Sequence, residues 1–276
     1  MLERCTFPAG DVTCAVSGGA DSLALLVLAV RAGCRVTAVH VDHGLRPGSA
    51  AEAGVVRAAA ERYGAAFRAE TVDVGPGPNL EARARAARYA VLPPDVLTGH
   101  TADDQAETVL LNLLRGAGLD GLAGMRSGGT HPILALRRAE TEALCRDEGL
   151  TPLVDPTNAD PAHRRNRVRH ELIPLLNDIA QRDVVPILAR QAALLRDEAD
   201  ALDDSGLDPT DARALAAAPA VLARRAVRRW LAGGQPHPPD RATVERVLAV
   251  ARGEARATDV GGGRRVARSQ GRLTLG

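Results

Sequence analysis

The sequence predicts an α/β protein: a parallel sheet with helices on both faces, followed by a smaller, mainly helical domain. From residue 11 to about residue 150, short apolar segments rich in β-branched residues alternate with longer segments of helical periodicity, which is typical of parallel sheets. After a turn-rich connector at residues 155–161 the pattern becomes helical. We therefore expect a first domain at residues 1–178 and a second at residues 179–276.

Apolar runs bounded by turn residues define the elements of the first domain. The predicted strands are Val12–Val16, Arg35–Val41, Ala66–Val72, Val96–Thr98 and His131–Ala135. The predicted helices are Asp21–Ala32, Ser49–Tyr63, Leu80–Val91, Ala102–Arg115 and Arg138–Glu148. Asn79 precedes the third of these helices and can cap it.

The second domain is predicted to be mainly helical and to face RNA. Its helices are Ile187–Leu202, Pro219–Leu231 and Arg241–Ala251, and short extended segments flank Gly261–Gly263. From residue 221 to residue 276 there are twelve arginines and four acidic residues. Because the net charge of the whole chain is only +1, a nucleic-acid site has to be a local patch, and this stretch is the candidate.

The composition limits the class of protein. Apolar residues make up 45% of the chain, but the longest apolar run, Leu23–Val30, is too short to span a membrane. The four cysteines form no C-x-x-C pair, which indicates reduced thiols in a cytoplasmic protein. Aromatic residues make up only 2%, so we expect base stacking on side chains to be a minor device.

The stretch Ser17-Gly18-Gly19-Ala20-Asp21-Ser22 joins the first strand to an apolar helix. A glycine turn at a helix start offers free N–H groups and the positive end of the helix dipole, which together bind anions such as phosphate. Asp21 suits such a site if it shares a Mg²⁺ ion with the phosphate; otherwise it caps the helix. The chain has no lysine and no G-x-G-x-x-G after its first strand, which excludes a lysine-bearing P-loop and disfavours a dinucleotide site.

Polar residues also follow two other predicted strands. Asp42–Arg46 comes after the second strand and Gly99–Asp104 after the fourth. Ligands of parallel sheets bind beyond the carboxyl ends of the strands, near the point where the strand order reverses. We therefore expect both segments to lie beside Ser17–Ser22. A zinc site built from His40, His43 and His100 is not expected, because the sequence offers no matching ligand spacing.

The predicted helix Ala102–Arg115 carries acidic residues and an arginine on one face. These residues could hold a metal ion or an ammonium group; alternatively, the acids offset the helix dipole and Arg115 suits the opposite end. The face in question consists of Asp104, Glu107, Thr108, Leu111 and Arg115. The other face, which we expect to pack on the sheet, consists of Ala106, Val109, Leu110 and Leu113.

A basic run follows the connector between the two domains. It comprises Arg164, Arg165, Arg167 and Arg169. The run is either a solvated helix start or a set of contacts to the phosphates of ATP or RNA.

Together these motifs resemble the tRNA(Ile)-lysidine synthetases, which are N-type ATP pyrophosphatases with a PP-loop. The resemblance covers residues 12–178, and Gly99–Thr108 is its most specific block. The other matching segments are Ser17–Ser22, Val39–Ser49, Asn79–Tyr89, Asn112–Gly116, Asp155–Asn158 and Arg165–Arg169. Many members carry a second histidine where this chain has Thr101. The resemblance implies the Rossmann-like fold of PP-loop ATPases.

The resemblance also implies a two-step reaction. ATP adenylates the C2 oxygen of the wobble cytidine in the CAU anticodon of tRNA(Ile), with release of diphosphate, and the ε-amino group of free lysine then displaces AMP. Lysidine pairs with A, so the codon changes from AUG to AUA and the tRNA is charged with isoleucine. ATP and Mg²⁺ are the implied cofactors, tRNA(Ile) and L-lysine the implied partners, and a homodimer is compatible with the family.

Roles for single residues follow as hypotheses. Asp104 and Glu107 bind the ammonium group of lysine or accept its proton, and His100 orients the α-phosphate. Arg115 and Arg165 stabilise charge on the phosphates or the tRNA. ATP and diphosphate are expected at Ser17, Gly18, Gly19, Ala20, Asp21 and Ser22, with Asp21 as the Mg²⁺ ligand. The expected tRNA contacts are Arg167, Arg169, Arg225 and Arg229.

Three alternatives remain open at this point. A PP-loop tRNA thiolase needs catalytic or cluster-binding cysteines near the loop, whereas Cys14 falls within the first strand and Cys145 within a helix. A PP-loop amidotransferase synthetase touches no RNA, which the basic C-terminal stretch disfavours. A non-catalytic nucleotide-binding sensor keeps the loop but does not need Asp104, Glu107 and Arg115 together.

Overall fold

The computed structural model describes residues 1–42, 44, 49–75, 77, 80–154, 160–233 and 239–276. The chain forms two compact units, Met1–Arg196 and Asp197–Gly276. The domain boundary predicted after residue 178 stays a prediction. Several residues singled out in the sequence, namely His43, Leu45–Gly48, Asn79 and Asp155–Asn158, lie outside the described residues.

The first unit contains a parallel sheet of three strands in the order β1-β2-β3. The strands are β1 (Asp11–Ala15), β2 (Arg35–Asp42) and β3 (Ala66–Thr71). The helices are α1 (Ala20–Arg31), α2 (Ser49–Arg62), α3 (Leu80–Ala90), α4 (Ala102–Leu114), α5 (Leu119–Leu122), α6 (Arg138–Asp147), α7 (Arg164–Arg167), α8 (Ile173–Ala180) and α9 (Val185–Asp203), with a π-helical turn at Val168–Leu172 between α7 and α8. The residues of α9 after Arg196 belong to the second unit.

Helices cover both faces of the sheet, as predicted. Along β2, Val36 and Ala38 belong to the cluster that contains α1, whereas Val39 packs with Leu92 and Val96 on the opposite face. This alternation follows from the two-residue period of a strand, which sends successive side chains to opposite faces. Both faces are buried along β2, where the consecutive residues Ala38, Val39 and His40 are all buried, whereas β3 at the edge of the sheet contains no buried residue.

The strand order reverses at β1. Leu97 bridges Cys14 in parallel on the side of β1 away from β2, and its N–H donates to the Thr13 carbonyl at 2.8 Å. The strand predicted at Val96–Thr98 is therefore a single bridge. The reversal creates a crevice between the segments that leave β1 and Leu97, which is where ligands bind in such sheets.

The strand predicted at His131–Ala135 is wrong. His131 forms only an isolated antiparallel bridge with Gly128, and turns follow it. Pro132 has no N–H to give to a strand ladder. The apolar residues of this run, Ile133 and Leu134, are nevertheless buried, so the run is a buried turn whose hydrophobicity resembles that of a strand.

The predicted packing of α4 on the sheet is also wrong. Ala106 and Leu110 pack with Val168 and Ile173, which belong to the helical segment after residue 164, in a cluster separate from the sheet core. Leu113 is exposed. The later helices cover α4, so its charged side is enclosed as well.

The second unit combines three helices with an antiparallel sheet. The elements are α10 (Ala212–Ala217), α11 (Ala220–Ala232), α12 (Arg241–Arg252), β4 (Ala257–Gly261), β5 (Arg264–Ser269) and β6 (Arg272–Leu275). Val227 and Leu231 of α11 pack against Val247 of α12 and Val266 of β5. The predicted extended segments are thus strands of one small sheet.

Across the described parts of both units, no helix combines the length and the apolarity that a membrane crossing requires.

We expect Gly99→Ala to destabilise the first unit and Gly54→Ala to stabilise it. A Cβ at Gly99 would lie 2.6 Å from the Asp21 carbonyl oxygen and 2.8 Å from the Asp21 carbonyl carbon. Relieving this clash with backbone costs about 1–3 kcal/mol. Gly54 lies inside α2 with open space around its Cβ position, where alanine gains about 0.5–1 kcal/mol.

Urea unfolding of both variants, followed by circular dichroism, measures these shifts. A Gly99→Ala variant as stable as the wild-type protein would contradict the close approach of the two segments.

Candidate active site

The loop between β1 and α1 is held by the Ser22 hydroxyl. Ser22 Oγ accepts hydrogen bonds from the N–H groups of Ser17 and Gly18, each at 3.2 Å, and donates to the Gly19 carbonyl at 2.9 Å. Gly18 has a φ of +92°, and a Cβ there would lie 2.5 Å from Leu153. The first N–H groups of α1 lack partners within the helix. The loop is therefore a rigid turn with donors suited to a phosphate.

His40 fixes the end of β1 immediately before this loop. It is 3% exposed, and because a carbonyl only accepts, its Nδ1 donates to the Val16 oxygen at 3.0 Å. Nδ1 thus carries a proton. In the part of the chain that the structure describes, no group of three histidine, cysteine or acidic side chains is arranged to hold a metal ion.

Asp21 lies in the first turn of α1 and contacts α6. Its carboxylate accepts a hydrogen bond from the buried Thr141 hydroxyl and lies 3.5 Å from Arg138 Nε. Burial, helped by the charge of Asp104, raises the pKa of Asp21 to about 6, against the lowering effect of Thr141 and Arg138. Asp21 is therefore mostly ionised at pH 7, in a position where additional positive charge would stabilise it.

Asp104 closes a capping box at the start of α4. Its Oδ2 accepts from the Thr101 N–H at 2.9 Å and from the Thr101 hydroxyl at 3.1 Å, while Oδ1 lies 3.0 Å from Arg138 Nη2. Burial raises the pKa of Asp104, but Arg138 and the Thr101 N–H outweigh it and hold the pKa below its usual value. The carboxylate is thus a permanent negative charge beside the crevice.

Glu107 is fully buried and is shared by three arginines. Arg165 Nε donates to Oε2 at 2.8 Å, Arg169 Nε donates to Oε1 at 2.7 Å, and Arg138 Nη1 donates to Oε1 at 3.3 Å. Both oxygens of Glu107 are therefore occupied. Hydrogen bonds between ionised groups are stronger than neutral ones, so this carboxylate of α4 fixes guanidinium groups from two other segments, α6 and the continuous helical stretch that contains Arg165 and Arg169.

A pair of histidines meets at Thr98. The Thr98 hydroxyl donates to the Thr130 carbonyl at 3.0 Å and lies 2.8 Å from Nδ1 of both His100 and His131. The two Nδ1 atoms also lie 3.3 Å apart, so the hydroxyl and both imidazoles form one hydrogen-bonded cluster that leaves Nε2 of each ring outside it. Burial lowers the pKa of His100 to about 4 and also lowers that of His131, so both rings are neutral at pH 7.

The structure brings together only part of the predicted set. The loop Ser17–Ser22, His100, Asp104, Glu107 and Arg165 lie around the crevice, and Arg169 joins them through Glu107. Arg115 ends α4, about 16 Å along the helix axis from Asp104 at 1.5 Å per residue. Arg167 is exposed and paired with Glu171. The predicted roles of all these residues stay predictions.

Arg138 and His131 are site residues that the sequence interpretation missed. Arg138 contacts Asp21, Asp104 and Glu107. A signal for it existed: Arg137 and Arg138 open α6, where the helix dipole disfavours cations, so two arginines there indicate acidic partners elsewhere. His131 gave no such signal, because its contact with His100 depends on a turn that resembles a strand in the sequence.

We expect Glu107→Ala to destabilise the first unit by about 3 kcal/mol, the lower end for breaking a buried ion pair, because the three arginines keep some contact with solvent. The measurement is the midpoint of urea unfolding. Glu171→Ala is the matched control: Glu171 forms an exposed ion pair with Arg167, and its removal should leave the midpoint almost unchanged. Equal shifts for the two variants would refute the shared-carboxylate arrangement.

We expect His100 to contribute a loss of stability of the first unit as the pH decreases from about 6.5 to about 4. Asp21, whose pKa is raised to about 6, acts in the opposite direction, so the contribution of His100 is measured as the difference between the wild-type protein and a His100 variant. The pKa of His100 is about 4 in the folded protein and about 6.5 in an unfolded chain. Between these values the unfolded state binds the additional proton, so acid favours unfolding. His100→Gln should flatten this dependence in urea unfolding at pH 7.5, 6.5, 5.5 and 4.5. Parallel curves for the variant and the wild-type protein would contradict the neutral buried ring.

Known protein families match most of this chain. Residues 2–176 match the PP-loop domain family, and residues 211–274 match the TilS substrate binding domain. The tRNA(Ile)-lysidine synthase of Nocardia farcinica is 44% identical over 301 residues, covering 100% of this chain and 94% of the relative. That of Mycobacterium tuberculosis is 41% identical over 263 residues, covering 87% and 81%.

A solved structure supports the fold. The U34-tRNA thiolase NcsA from Methanococcus maripaludis, determined with its [4Fe-4S] cluster, superposes with a TM-score of 0.54 over 67% of this chain and 72% of that chain, at 18% identity. This likeness concerns the fold alone. The family match over most of the chain and the close relatives decide the membership: this chain belongs to the tRNA(Ile)-lysidine synthases, ligases of the PP-loop family.

Proposed function

We propose that this ligase adenylates the C2 oxygen of the wobble cytidine in the CAU anticodon of tRNA(Ile) and then joins lysine to that carbon. In the first step the C2 oxygen attacks the α-phosphorus of ATP, and diphosphate leaves. In the second step the ε-amino nitrogen bonds to C2, AMP leaves with the oxygen, and the nitrogen loses a proton. The observation that carries the proposal is the convergence of the phosphate loop with Asp104, Glu107 and three arginines at one crevice.

The loop Ser17–Ser22 is proposed to bind the phosphates of ATP that leave as diphosphate. The N–H groups of Ser17 and Gly18 already donate to Ser22 Oγ. The phosphate site is therefore proposed at the start of α1, where the first N–H groups lack helical partners and the helix dipole favours negative charge. Asp21 fits a Mg²⁺ ion at this place, because a carboxylate oxygen is a hard ligand and the buried charge lacks full compensation. The ion would neutralise charge on the phosphates.

Glu107 is proposed to position arginines rather than to bind lysine. Both of its oxygens already accept hydrogen bonds from arginine N–H groups. Arg165 has 37% of its side chain exposed, so part of its guanidinium can face a substrate phosphate. A guanidinium held in place before the reaction stabilises developing charge without reorganisation.

Asp104 is the better candidate for the lysine ammonium group. Among the described residues, Asp104 Oδ1 accepts a hydrogen bond from Arg138 alone, whereas each oxygen of Glu107 accepts two from arginines. The lowered pKa of Asp104 keeps it ionised, which suits binding of a cation more than removal of a proton. His100 is proposed to orient the α-phosphate through Nε2, because its Nδ1 is occupied by the contacts with Thr98 and His131.

The thiolase alternative is disfavoured by the state of the thiols nearest to β1 and α1. Burial raises the pKa of Cys14 to about 12 and that of Cys145 to about 11. Sulfur chemistry requires the thiolate, which these groups do not form at neutral pH. A cytoplasmic location, free lysine as the nucleophile and a dimeric assembly are further parts of the proposal that need their own measurements.

The first test measures diphosphate release and the transfer of labelled lysine to transcribed tRNA(Ile) carrying CAU. Label should enter this tRNA and not a CAU-bearing methionine tRNA. Release of diphosphate without incorporation of lysine would indicate another nucleophile. ATP binding without any release would favour the nucleotide sensor.

The variants Asp104→Ala and Arg165→Ala should lose roughly 10²–10³-fold in lysine transfer, the range for removing one charge-stabilising group. Arg190→Ala is the matched control, because this exposed residue of α9 removes the same charge outside the crevice. Arg115→Ala tests the prediction for the far end of α4. Unchanged rates in Asp104→Ala and Arg165→Ala would exclude the assigned roles.

A further inference from the structure

The second unit contains a cavity lined by its single aromatic residue. The chain has one tryptophan, Trp230 on α11, which packs against the hydrophobic core of the unit on one side and lines the cavity on the other. The cavity measures about 320 Å³, the lower end of the range for ligand sites. The four other aromatic residues, Phe7, Tyr63, Phe67 and Tyr89, belong to the first unit.

Two arginines and one carboxylate form the polar side of the same cavity. Arg225 pairs with Asp203, and Arg229 Nη1 lies 3.0 Å from Asp203 Oδ2. Both guanidinium groups therefore contact the same carboxylate. Arg225 is only 10% exposed, whereas Arg229 is 58% exposed. Arg229 thus presents its charge to solvent at the rim, and Arg225 is part of the wall.

A flat aromatic surface beside a cation suits one particular ligand. An unpaired base can stack on an indole, while its phosphate pairs with an arginine at the rim. A base in a double helix is already stacked on its neighbours and cannot enter. Ser205, which also lines the cavity, offers a hydroxyl to the edge of a base. A small apolar ligand would not require the arginines, and a bare phosphate would not require the tryptophan.

We propose that this cavity binds one unstacked nucleotide of the substrate tRNA, with its base on Trp230 and its phosphate at Arg229. The inference rests on the proposed function, because it takes tRNA as the substrate. The surface of this unit would otherwise attract the RNA backbone by charge alone. The proposed site adds a contact that recognises an unpaired nucleotide.

The fluorescence of the single tryptophan tests this site directly. The full chain is titrated with transcribed tRNA(Ile) carrying CAU, and binding is followed in parallel by filter retention. We expect saturable quenching that tracks binding, and no quenching by a blunt RNA duplex of equal length, because the duplex has no unpaired base. Binding of tRNA without quenching, or equal quenching by the duplex, would overturn the proposal.

Variants provide the second arm of the test. Trp230→Leu should weaken tRNA binding about five- to a hundredfold, the range for losing one base stack, and Trp230→Phe should restore most of the affinity. Arg229→Ala should weaken binding as well. Arg213→Ala removes the same charge from an exposed position on α10 and should change the Kd less than twofold.

The outcomes separate this inference from the proposed function. Suppose that the wild-type protein transfers lysine and that Trp230→Phe, Trp230→Leu and Arg229→Ala all bind tRNA normally. The nucleotide site would then be overturned, whereas the proposed function would stand. Failure of the wild-type protein to bind tRNA would overturn both. If Trp230→Leu does not fold, as judged by its thermal melting, the quenching titration and Arg229→Ala still decide the question.

Discussion

The buried carboxylate of Glu107 is the interaction on which the catalytic unit depends. It lies inside the protein with no exposed surface, where an isolated charge is prohibitively costly. Three arginines from α6, α7 and the π-helical turn compensate it. Burying this charge therefore joins α4 to two other segments far apart in the chain, and it fixes guanidinium groups beside the phosphate loop before any substrate arrives. The ion pairs of Glu107 thus both stabilise the first unit and hold the arginine side chains in place.

The location of the crevice is a consequence of the strand order. β1 lies between β2 and Leu97, so the chain leaves β1 and Leu97 in diverging directions. Gly99 lets the second segment pass against the Asp21 backbone. The phosphate loop and the residues around Asp104 thus come close together because the backbone permits it. This approach of the two segments brings their charged side chains to the same crevice.

The second unit shows that a count of arginines overstates the free charge of a surface. Arg224, Arg252 and Arg272 each pair with an acidic residue, and Arg225 shares Asp203 with Arg229. What distinguishes this unit is the position of the exposed Arg229 beside the single tryptophan. With aromatic residues at only 2% of the chain, we expect base stacking to be a minor device, and the proposed site uses one residue for it.

The boundaries of the local elements and the position of the loop Ser17–Ser22 could be predicted from the sequence alone. Most helices and strands of the first unit begin and end within one residue of their predicted positions, because apolar periods and turn residues are local properties. The sequence also determined the loop Ser17–Ser22, since a glycine turn between a strand and a helix requires no distant partner. The pairing of Asp104 and Glu107 with arginines, in contrast, depends on tertiary contacts. The partners of these carboxylates, Arg138 and Arg169, lie 31 to 65 residues away along the chain, and no period or spacing in the sequence encodes that distance. The turn at Pro132, the enclosed face of α4 and the contact between His100 and His131 were missed for the same physical reason: burial depends on what packs against a segment, and the segment does not specify its own neighbours.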